Sequence, residues 1–374
     1  MNNQQTLDNF FKCSSNNELN NLKKYFYLDW SDENNIPNNN AIMLEKRPLK
    51  INFIEKIDCS SIKNGFYFYI CGNFKNYDST DYIIEKEKKY KNSCYLTSLL
   101  QKSIRKQNKN LTIQSCFHLM KLNLNDLLRR LPIIMLEDTY LHKSISTVIW
   151  LMIALGTKKF KMKKNIYEWI LGFSYICCIT KKKDGFIKEN KNEHENNNNC
   201  NTKKYIYEIL NNSHKLDNSL SSILYSLYFR IAYGAKKHDM EMIQSYITLW
   251  NNRFHNDSPK KINTMTLKTI SIYVKPLEIE DWDLSALDYH TNTNFTDFIF
   301  KKFPELTKKE IETLVWNFSS SINNRKINNN KNNDNNDNDN NDHDNYVEQK
   351  TIWLKIKLYV EKIQKYLLET EIDN

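Results

Sequence analysis

The stretch CYLTSLLQKSI, residues 94 to 104, carries large apolar side chains at positions 96, 99, 100 and 104. Spacings of three and four residues place these side chains on one face of an α-helix. The same spacing returns in SLSSILYSL, residues 219 to 227, and it persists from Cys94 to about position 321. With only six glycines and six prolines in the chain, this pattern predicts a mainly α fold of roughly eight to ten helices.

A shorter segment before the helical region has a different character. Residues 52 to 54 (NFI) and 66 to 70 (FYFYI) are rich in residue types that favour strands, and Gly65 and Gly72 bound the second run. We therefore predict a strand pair within a small mixed α/β segment over residues 49–93.

Composition predicts the remaining boundaries. Residues 1–48 are polar and rich in asparagine, which is typical of a flexible tail. A helical domain over 94–325 is interrupted by a low-complexity insert at 181–203, and a second low-complexity insert covers 326–348. Both inserts are predicted to be disordered, and residues 349–374 are predicted to form a C-terminal helix that packs on the helical domain.

The charge and the cysteines restrict the classes of partner. A formal net charge of +10 attracts phosphate, which is compatible with DNA. The surplus of Asn, Lys, Ile and Tyr matches A- and T-rich codons, however, so the charge alone does not indicate a function. The eight cysteines have irregular spacings without a zinc-ligand pattern, and the longest apolar stretch, Val148 to Leu155, is too short for a bilayer. We expect an intracellular soluble protein with no metal, no cofactor and no membrane partner.

The most specific motif lies at the N-terminus. Gln4, Leu7, Phe10 and Phe11 match the pattern Q-x-x-[Leu/Ile/Met]-x-x-[Phe/Tyr]-[Phe/Tyr] within residues 4–11. The motif resembles the peptide, or PIP box, with which many replication and repair proteins bind PCNA, the eukaryotic sliding clamp. A single tight turn brings the three apolar side chains into one pocket, while the Gln4 amide hydrogen-bonds at its rim. The alternative is a short amphipathic segment that rests on the surface of the domain.

A second resemblance lies in the helical region. Gln101-Lys102-Ser103-Ile104-Arg105 is followed by Leu127-Leu128-Arg129-Arg130-Leu131 and then by Glu137-Asp138. Over about forty residues these runs resemble the helices that follow the ATPase module in the RarA and Werner-helicase-interacting ATPase family. The resemblance implies a helical adaptor portion that contributes to self-association. Pro132 is expected to interrupt the second helix, and no G-x-x-x-x-G-K-[S/T] loop occurs, so ATP hydrolysis is not implied.

Basic residues in the helical region have two interpretations. Arg129 and Arg130 precede Glu137 and Asp138, which favours an ion-pair network at a helix-packing boundary. The alternative is contact with nucleic-acid phosphates, although an ordinary solvated face is the simpler interpretation for the more distant residues. The candidates for nucleic-acid contact are Lys102, Arg105, Arg129, Arg130, Arg230, Lys236, Lys237 and Arg253.

Catalytic residues are harder to assemble. A metal-dependent nuclease needs two or three acids that converge on Mg²⁺, and Asp126, Glu137 and Asp138 are the candidates. These acids lie on predicted helices without a strand-borne pattern, so we expect no catalytic site. Asp288 and His290 form an acid–imidazole pair that we expect to be structural.

These features predict a nuclear, non-enzymatic DNA replication or repair factor that its N-terminal peptide recruits to the sliding clamp. Its helical body would contact DNA or another protein of the replication fork. One alternative is a clamp-recruited metal-dependent nuclease or other DNA-processing enzyme. Another is a helical interaction protein unrelated to DNA, in which the match to the clamp peptide is accidental.

Overall fold

The computed structural model describes residues 24–32, 36–58, 67–77, 80–184, 216–234, 237–256, 262–320, 326–327 and 340–373. These residues form nine α-helices and a four-stranded sheet near the N-terminal end of the described chain. The predicted mainly α fold with a small N-terminal β segment is therefore confirmed. None of the helices in these ranges is long and apolar enough to cross a membrane.

The strands of the sheet are β1 (Tyr25–Trp30), β2 (Ile42–Leu44), β3 (Phe53–Asp58) and β4 (Tyr67–Phe74). The helices are α1 (Ser93–Arg105), α2 (Lys109–Asp138), α3 (Ile145–Gly156), α4 (Lys164–Ile179), α5 (Asn218–Ala232), α6 (Lys237–Asn256), α7 (Phe295–Lys302), α8 (Lys308–Ser319) and α9 (Asn340–Asp373). A separate parallel pair consists of β5 (Lys182–Lys183) and β6 (Lys326–Ile327).

The chain forms two compact units, each assembled from three stretches of sequence. The first unit comprises residues 1–83, 128–173 and 186–270, and the second comprises 84–127, 174–185 and 271–374. The sheet, α3, α5 and α6 belong to the first unit, whereas α1 and α7 to α9 belong to the second. These units differ from the predicted contiguous domains 49–93 and 94–325. A compact unit forms from segments that meet in space, and composition does not indicate which distant segments meet.

The sheet has the strand order β2-β1-β4-β3. The strand pair predicted around residues 52–54 and 66–70 is confirmed, since β3 and β4 are antiparallel neighbours. β1 and β2 lie within residues 1–48, so the prediction of a flexible tail is wrong for these two strands. Within YFYLDW, Phe26, Leu28 and Trp30 occupy alternate positions and are buried in the core. The many asparagines around this segment obscure that alternation in the sequence.

The inner face of the sheet packs against α3 and α5. The Phe229 ring of α5 stacks on Phe68 at 4.1 Å between centroids and lies 5.5 Å from Phe26. Trp150 of α3 donates its Nε1 hydrogen to the Phe26 carbonyl at 2.9 Å and the Cys71 carbonyl at 3.2 Å. All five residues have no exposed surface, so these contacts form the centre of the first unit.

Helix α2 corrects one prediction about the helical region. Its backbone leaves helical geometry at Asn123 (φ −155°, ψ 90°) and not at Pro132, which lies inside the helix. The Asn123 side chain accepts the Asp126 amide at 3.1 Å and so begins the second half of the helix. Leu131 and Ile133 on either side of the proline are fully buried, and their packing offsets the amide hydrogen bond that Pro132 cannot make.

The predicted C-terminal helix is present as α9 in the second unit. It begins at Asn340, earlier than the predicted position 349. Trp353 of α9 stacks on Phe318 of α8 with centroids 5.8 Å apart, and Ile356, Val360 and Leu368 are buried on the same helix. This packing agrees with the amphipathic pattern of residues 353–368.

Candidate functional site

The predicted clamp-binding residues Gln4, Leu7, Phe10 and Phe11 lie outside the residues that the structure describes, as does Lys236. The described chain begins at Lys24, immediately before β1. Clamp binding therefore stays a prediction from the sequence.

Two of the predicted nucleic-acid contacts lie at the C-terminal end of α5. The helix ends beside Gly234, whose φ of 77° is in the left-handed region that glycine tolerates. Arg129 Nη2 donates to the carbonyls of Tyr233 at 2.9 Å and Gly234 at 2.8 Å. Arg230 Nη1 donates to the same Gly234 carbonyl at 2.9 Å. Both arginines thus bind carbonyl groups that have no partner within the helix.

Arg230 is a structural residue in this arrangement. Its Nε donates to the Arg129 carbonyl at 3.0 Å, and only 3% of the residue is exposed. Burial lowers the pKa of Arg230 to about 10, and the charge of Arg129 acts in the same direction. A phosphate group cannot reach this guanidinium, so the prediction that Arg230 contacts nucleic acid is wrong.

Arg130 lies between two carboxylates of the first unit. Its guanidinium is 3.7 Å from Glu137 of α2 and 3.5 Å from Asp239 of α6. This geometry confirms the predicted ion-pair network at a helix-packing boundary. Glu137 is one of the three candidate catalytic acids, and here its carboxylate serves packing.

The remaining predicted contacts in the first unit lie on α6. Lys237 forms a 3.7 Å ion pair with Glu241, in which both side chains are exposed. The Arg253 guanidinium lies 4.7 Å from the centre of the Trp250 ring.

In the second unit, Lys102 and Arg105 of α1 point inward. Lys102 Nζ lies 2.9 Å from Asp288 Oδ2, and the two side chains are 4% and 6% exposed. Arg105 Nη1 donates to the Ser320 carbonyl at 3.4 Å. Burial excludes nucleic-acid phosphates from both residues, so the prediction of nucleic-acid contact is wrong for them as well.

Asp288 joins the lysine to a histidine. Its Oδ1 accepts the His290 amide at 2.9 Å and lies 3.2 Å from His290 Nδ1, which confirms the predicted structural pair. Burial lowers the pKa of Lys102 despite the attraction of Asp288. Burial alone would raise the pKa of Asp288, but the hydrogen bond from His290 and the charge of Lys102 lower it. Asp288 is thus held by two neighbours, Lys102 and His290.

A second buried titratable group occurs in the same unit. His118 Nδ1 donates a short hydrogen bond to Glu87, and its Nε2 accepts the Leu277 amide at 3.1 Å. Burial alone would raise the pKa of Glu87, but the His118 hydrogen bond and the backbone hydrogen bond from Lys89 lower it to about 2. Both imidazole nitrogens are engaged, so this cluster fixes the loop at Leu277.

The three candidate catalytic acids are not brought together as one set. Asp126 accepts hydrogen bonds from Ser93 Oγ at 2.9 Å and Asn123 Nδ2 at 2.8 Å in the second unit. Glu137 and Asp138 belong to the first unit, and Asp138 is only 2% exposed. Across the described ranges, no group of three or more His, Cys, Asp and Glu residues has an arrangement that could hold a metal ion.

Aromatic contacts on the outer face of the sheet were not predicted. Tyr25 of β1 stacks on Tyr69 of β4 with centroids 5.3 Å apart, and Tyr67 meets Tyr69 edge to face at 5.9 Å. Lys56 Nζ of β3 lies 4.0 Å from the centre of the Tyr67 ring. The signal was available in YFYLDW and YFYICGNF, where tyrosine recurs at alternate positions.

Known proteins give no further assignment. Comparison of the chain with protein-family models, with curated protein sequences and with solved structures finds no match in any of the three.

Proposed function

We propose that this chain is a non-enzymatic DNA replication or repair factor that residues 4–11 recruit to a sliding clamp. The observation that carries the proposal is the spacing of Gln4, Leu7, Phe10 and Phe11. Three apolar side chains within one turn fill a single pocket, and two phenylalanines in a polar segment are unfavourable without such a partner. A clamp partner implies a nuclear location.

The distance between the peptide and the folded chain suits this role. Thirteen residues separate Phe11 from Tyr25, the first residue of β1. Fully extended, they span at most roughly 45 Å. A tether of that length keeps the folded body close to the clamp and raises its effective concentration at the DNA.

Several basic residues of the helical body serve its own packing. Arg129 and Arg230 bind backbone carbonyls, and Lys102 is paired with Asp288, so these cations stabilise the units in which they lie. In the proposal, the body contacts DNA or another fork protein through other surfaces.

The peptide gives a direct test. A synthetic peptide of residues 1–15 is titrated into PCNA by calorimetry, together with a Phe10→Ala/Phe11→Ala peptide. Thr6→Ala is the matched control, because position 6 is unconstrained in the motif. We expect micromolar binding that the double substitution weakens by at least about 100-fold, since each buried aromatic side chain contributes roughly 2 kcal/mol. No binding, or equal binding by the double variant, would refute the proposal.

The same pair of substitutions is then made in the full chain. Retention of the wild-type protein on immobilised PCNA, with loss of retention for Phe10→Ala/Phe11→Ala, would show that the peptide is accessible in the intact protein. Retention of both proteins would place the contact elsewhere and contradict the assignment.

A further inference from the structure

Helix α9 has apolar residues on its solvent side as well as on its packed side. Trp353 and Val360 are buried against the second unit. Val347, Leu354 and Leu358 instead face solvent, with 48%, 64% and 71% of each residue exposed. At about 3.6 residues per turn, these three side chains lie within an arc of about 40°. They therefore form a continuous stripe, which is typical of an interaction surface, whereas exposed leucines scattered singly are not.

The spacing of this stripe is that of a coiled-coil seam. Val347, Thr351, Leu354 and Leu358 are separated by steps of four, three and four residues, which are the steps between core positions in a seven-residue repeat. These four residues are named the α9 seam below, and they extend over about 17 Å of the helix. A seam this narrow fits one partner helix, since a broader apolar surface calls for a wider stripe.

Lysines flank the α9 seam on both sides. Lys350 and Lys357 lie along one side and Lys355 and Lys362 along the other, and all four are exposed. In a coiled coil these flanking positions carry the charges that face the partner helix. The four flanking lysines thus favour a partner with carboxylates at the facing positions.

The acids on the same side of α9 are fewer. Glu348 is exposed near the start of the seam, and Glu361 follows its last leucine. Glu361 lies 3.7 Å from Lys357, and beyond the seam Glu369 lies 3.8 Å from Lys365. The side chains of both pairs are about half exposed, so solvent screens them and Lys357 loses little by turning to a carboxylate of a partner.

The flanking lysines also bear on a second copy of the chain as partner. In a parallel pair of copies, Lys350 would face Lys355 of the other copy, and Lys357 would face Lys362. An antiparallel pair that overlaps the leucines would set Lys350 against Lys357 and Lys355 against Glu348, so repulsion cancels attraction. A partner with acidic flanks gains attraction at all four lysines.

We infer that the α9 seam binds an acidic amphipathic helix of another protein, with aliphatic side chains on Leu354 and Leu358 and carboxylates beside the four flanking lysines. Burial of the leucines stabilises the complex, and the charges select the partner. A nucleic acid would use the lysines and leave the leucines in water. The seam shares no residue with positions 4–11, so the inference goes beyond clamp recruitment and does not rest on it.

The test uses the full-length protein and a fluorescein-labelled peptide of three seven-residue repeats, with Leu at the core positions and Glu at the flanking positions. A matched basic peptide carries Lys in place of each Glu. Fluorescence anisotropy at a salt concentration of about 0.15 M measures both affinities. We expect a roughly micromolar Kd for the acidic peptide and binding of the basic peptide that is at least about tenfold weaker.

Leu354→Ala/Leu358→Ala removes the apolar part of the seam. It is expected to weaken binding of the acidic peptide by at least about tenfold. Leu49→Ala is the matched control, because Leu49 is fully exposed in the first unit, and it is expected to bind within about twofold of wild type. Both substituted leucines of α9 are exposed, so the fold should persist, and unfolding in urea verifies this.

Lys355→Glu/Lys362→Glu reverses the charge of one flank. It is expected to weaken the acidic peptide by about tenfold and to strengthen the basic peptide by a similar factor. A residue pair that served only folding would change both affinities in the same direction. Lys46→Glu/Lys50→Glu makes the same change of net charge at exposed positions of the first unit and is expected to bind both peptides within about twofold of wild type.

Absence of acidic-peptide binding, equal binding of the two peptides, or unchanged affinity of either folded α9 variant would overturn the inference. A dimer in sedimentation that Leu354→Ala/Leu358→Ala dissociates would assign the seam to a second copy. Retention on phosphatidylserine vesicles that the same substitutions abolish would assign it to a membrane, and either result would also overturn the inference. Phe10→Ala/Phe11→Ala should bind the acidic peptide normally, so failure here is distinct from failure of clamp recruitment.

Discussion

The buried pair of Lys102 and Asp288 allows a quantitative test of how the second unit is held together. At 2.9 Å the Coulomb attraction is about 6 kcal/mol for an effective dielectric constant near 20, and the desolvation of both ions offsets much of it. Replacing one partner leaves the other charge buried and unpaired. We expect Lys102→Met and Asp288→Leu each to lower the free energy of unfolding by about 3–5 kcal/mol.

The double variant Lys102→Met/Asp288→Leu removes both charges. We expect it to lose much less than the sum of the single losses, with a coupling energy of about 3 kcal/mol. Unfolding in urea is followed by hydrogen exchange at the α1 amides, so that the measured free energy belongs to the unit that holds the pair. Additive losses within about 0.5 kcal/mol would refute the reasoning.

A neighbouring pair supplies the control. Lys106 lies 2.6 Å from Asp283, but its side chain is 35% exposed. Solvent screens such a pair, so Lys106→Met is expected to cost less than about 1 kcal/mol. A loss as large as that of Lys102→Met would show that distance, and not burial, sets the energy of these pairs.

Three further perturbations follow from the packing and the titratable groups. The pKa of Glu87 is about 2, below its ordinary value, so its stabilisation is present above about pH 4.5 and is lost as the pH falls toward 2. Glu87→Gln should lower the free energy of unfolding at pH 7 by up to about 3 kcal/mol. In urea titrations the variant should also lose less stability than wild type between pH 4.5 and pH 2, and an equal loss would contradict this reasoning. An alanine Cβ at Gly172 would lie 2.0 Å from the Lys268 carbonyl oxygen, so Gly172→Ala should cost at least about 1–3 kcal/mol. Gly156→Ala is the control, because the nearest atom to its Cβ is 3.3 Å away. Thermal melts of both variants should show the smaller loss of stability for Gly156→Ala, and equal losses would exclude the clash at Gly172. Phe229→Ala should lower the free energy of unfolding by about 3–5 kcal/mol in urea, and a loss below 1 kcal/mol would mean that the ring is not central to the core.

The helices could be predicted because their signal is local. Residues 94–104 repeat apolar side chains every three or four positions, and Gly234 terminates α5 as its backbone freedom suggests. β1 and β2 were not predicted. They are only six and three residues long, and the asparagine-rich sequence around them gives the whole segment the composition of a flexible tail. The helix break predicted at Pro132 was wrong, because the packing of the neighbouring residues offsets the amide hydrogen bond that proline cannot make.

The candidate site was predictable only where partners are close in sequence. Glu137 follows Arg130 by two helical turns, and their pairing was anticipated. Lys102 and Asp288 are 186 positions apart, a separation that no local pattern reveals. Arg230 was misassigned because its acceptors are backbone carbonyls, which carry no sequence signature of their own.

The position of the sheet along the chain has a consequence for biosynthesis. Its strands end at Phe74, but α3, which donates Trp150, and α5, which donates Phe229, are translated much later. A nascent sheet therefore presents Phe26 and Phe68 uncovered until residue 232 has left the ribosome. Exposed apolar strands of this kind are prone to aggregation, so we expect the yield of folded protein to depend on chaperones and on translation rate.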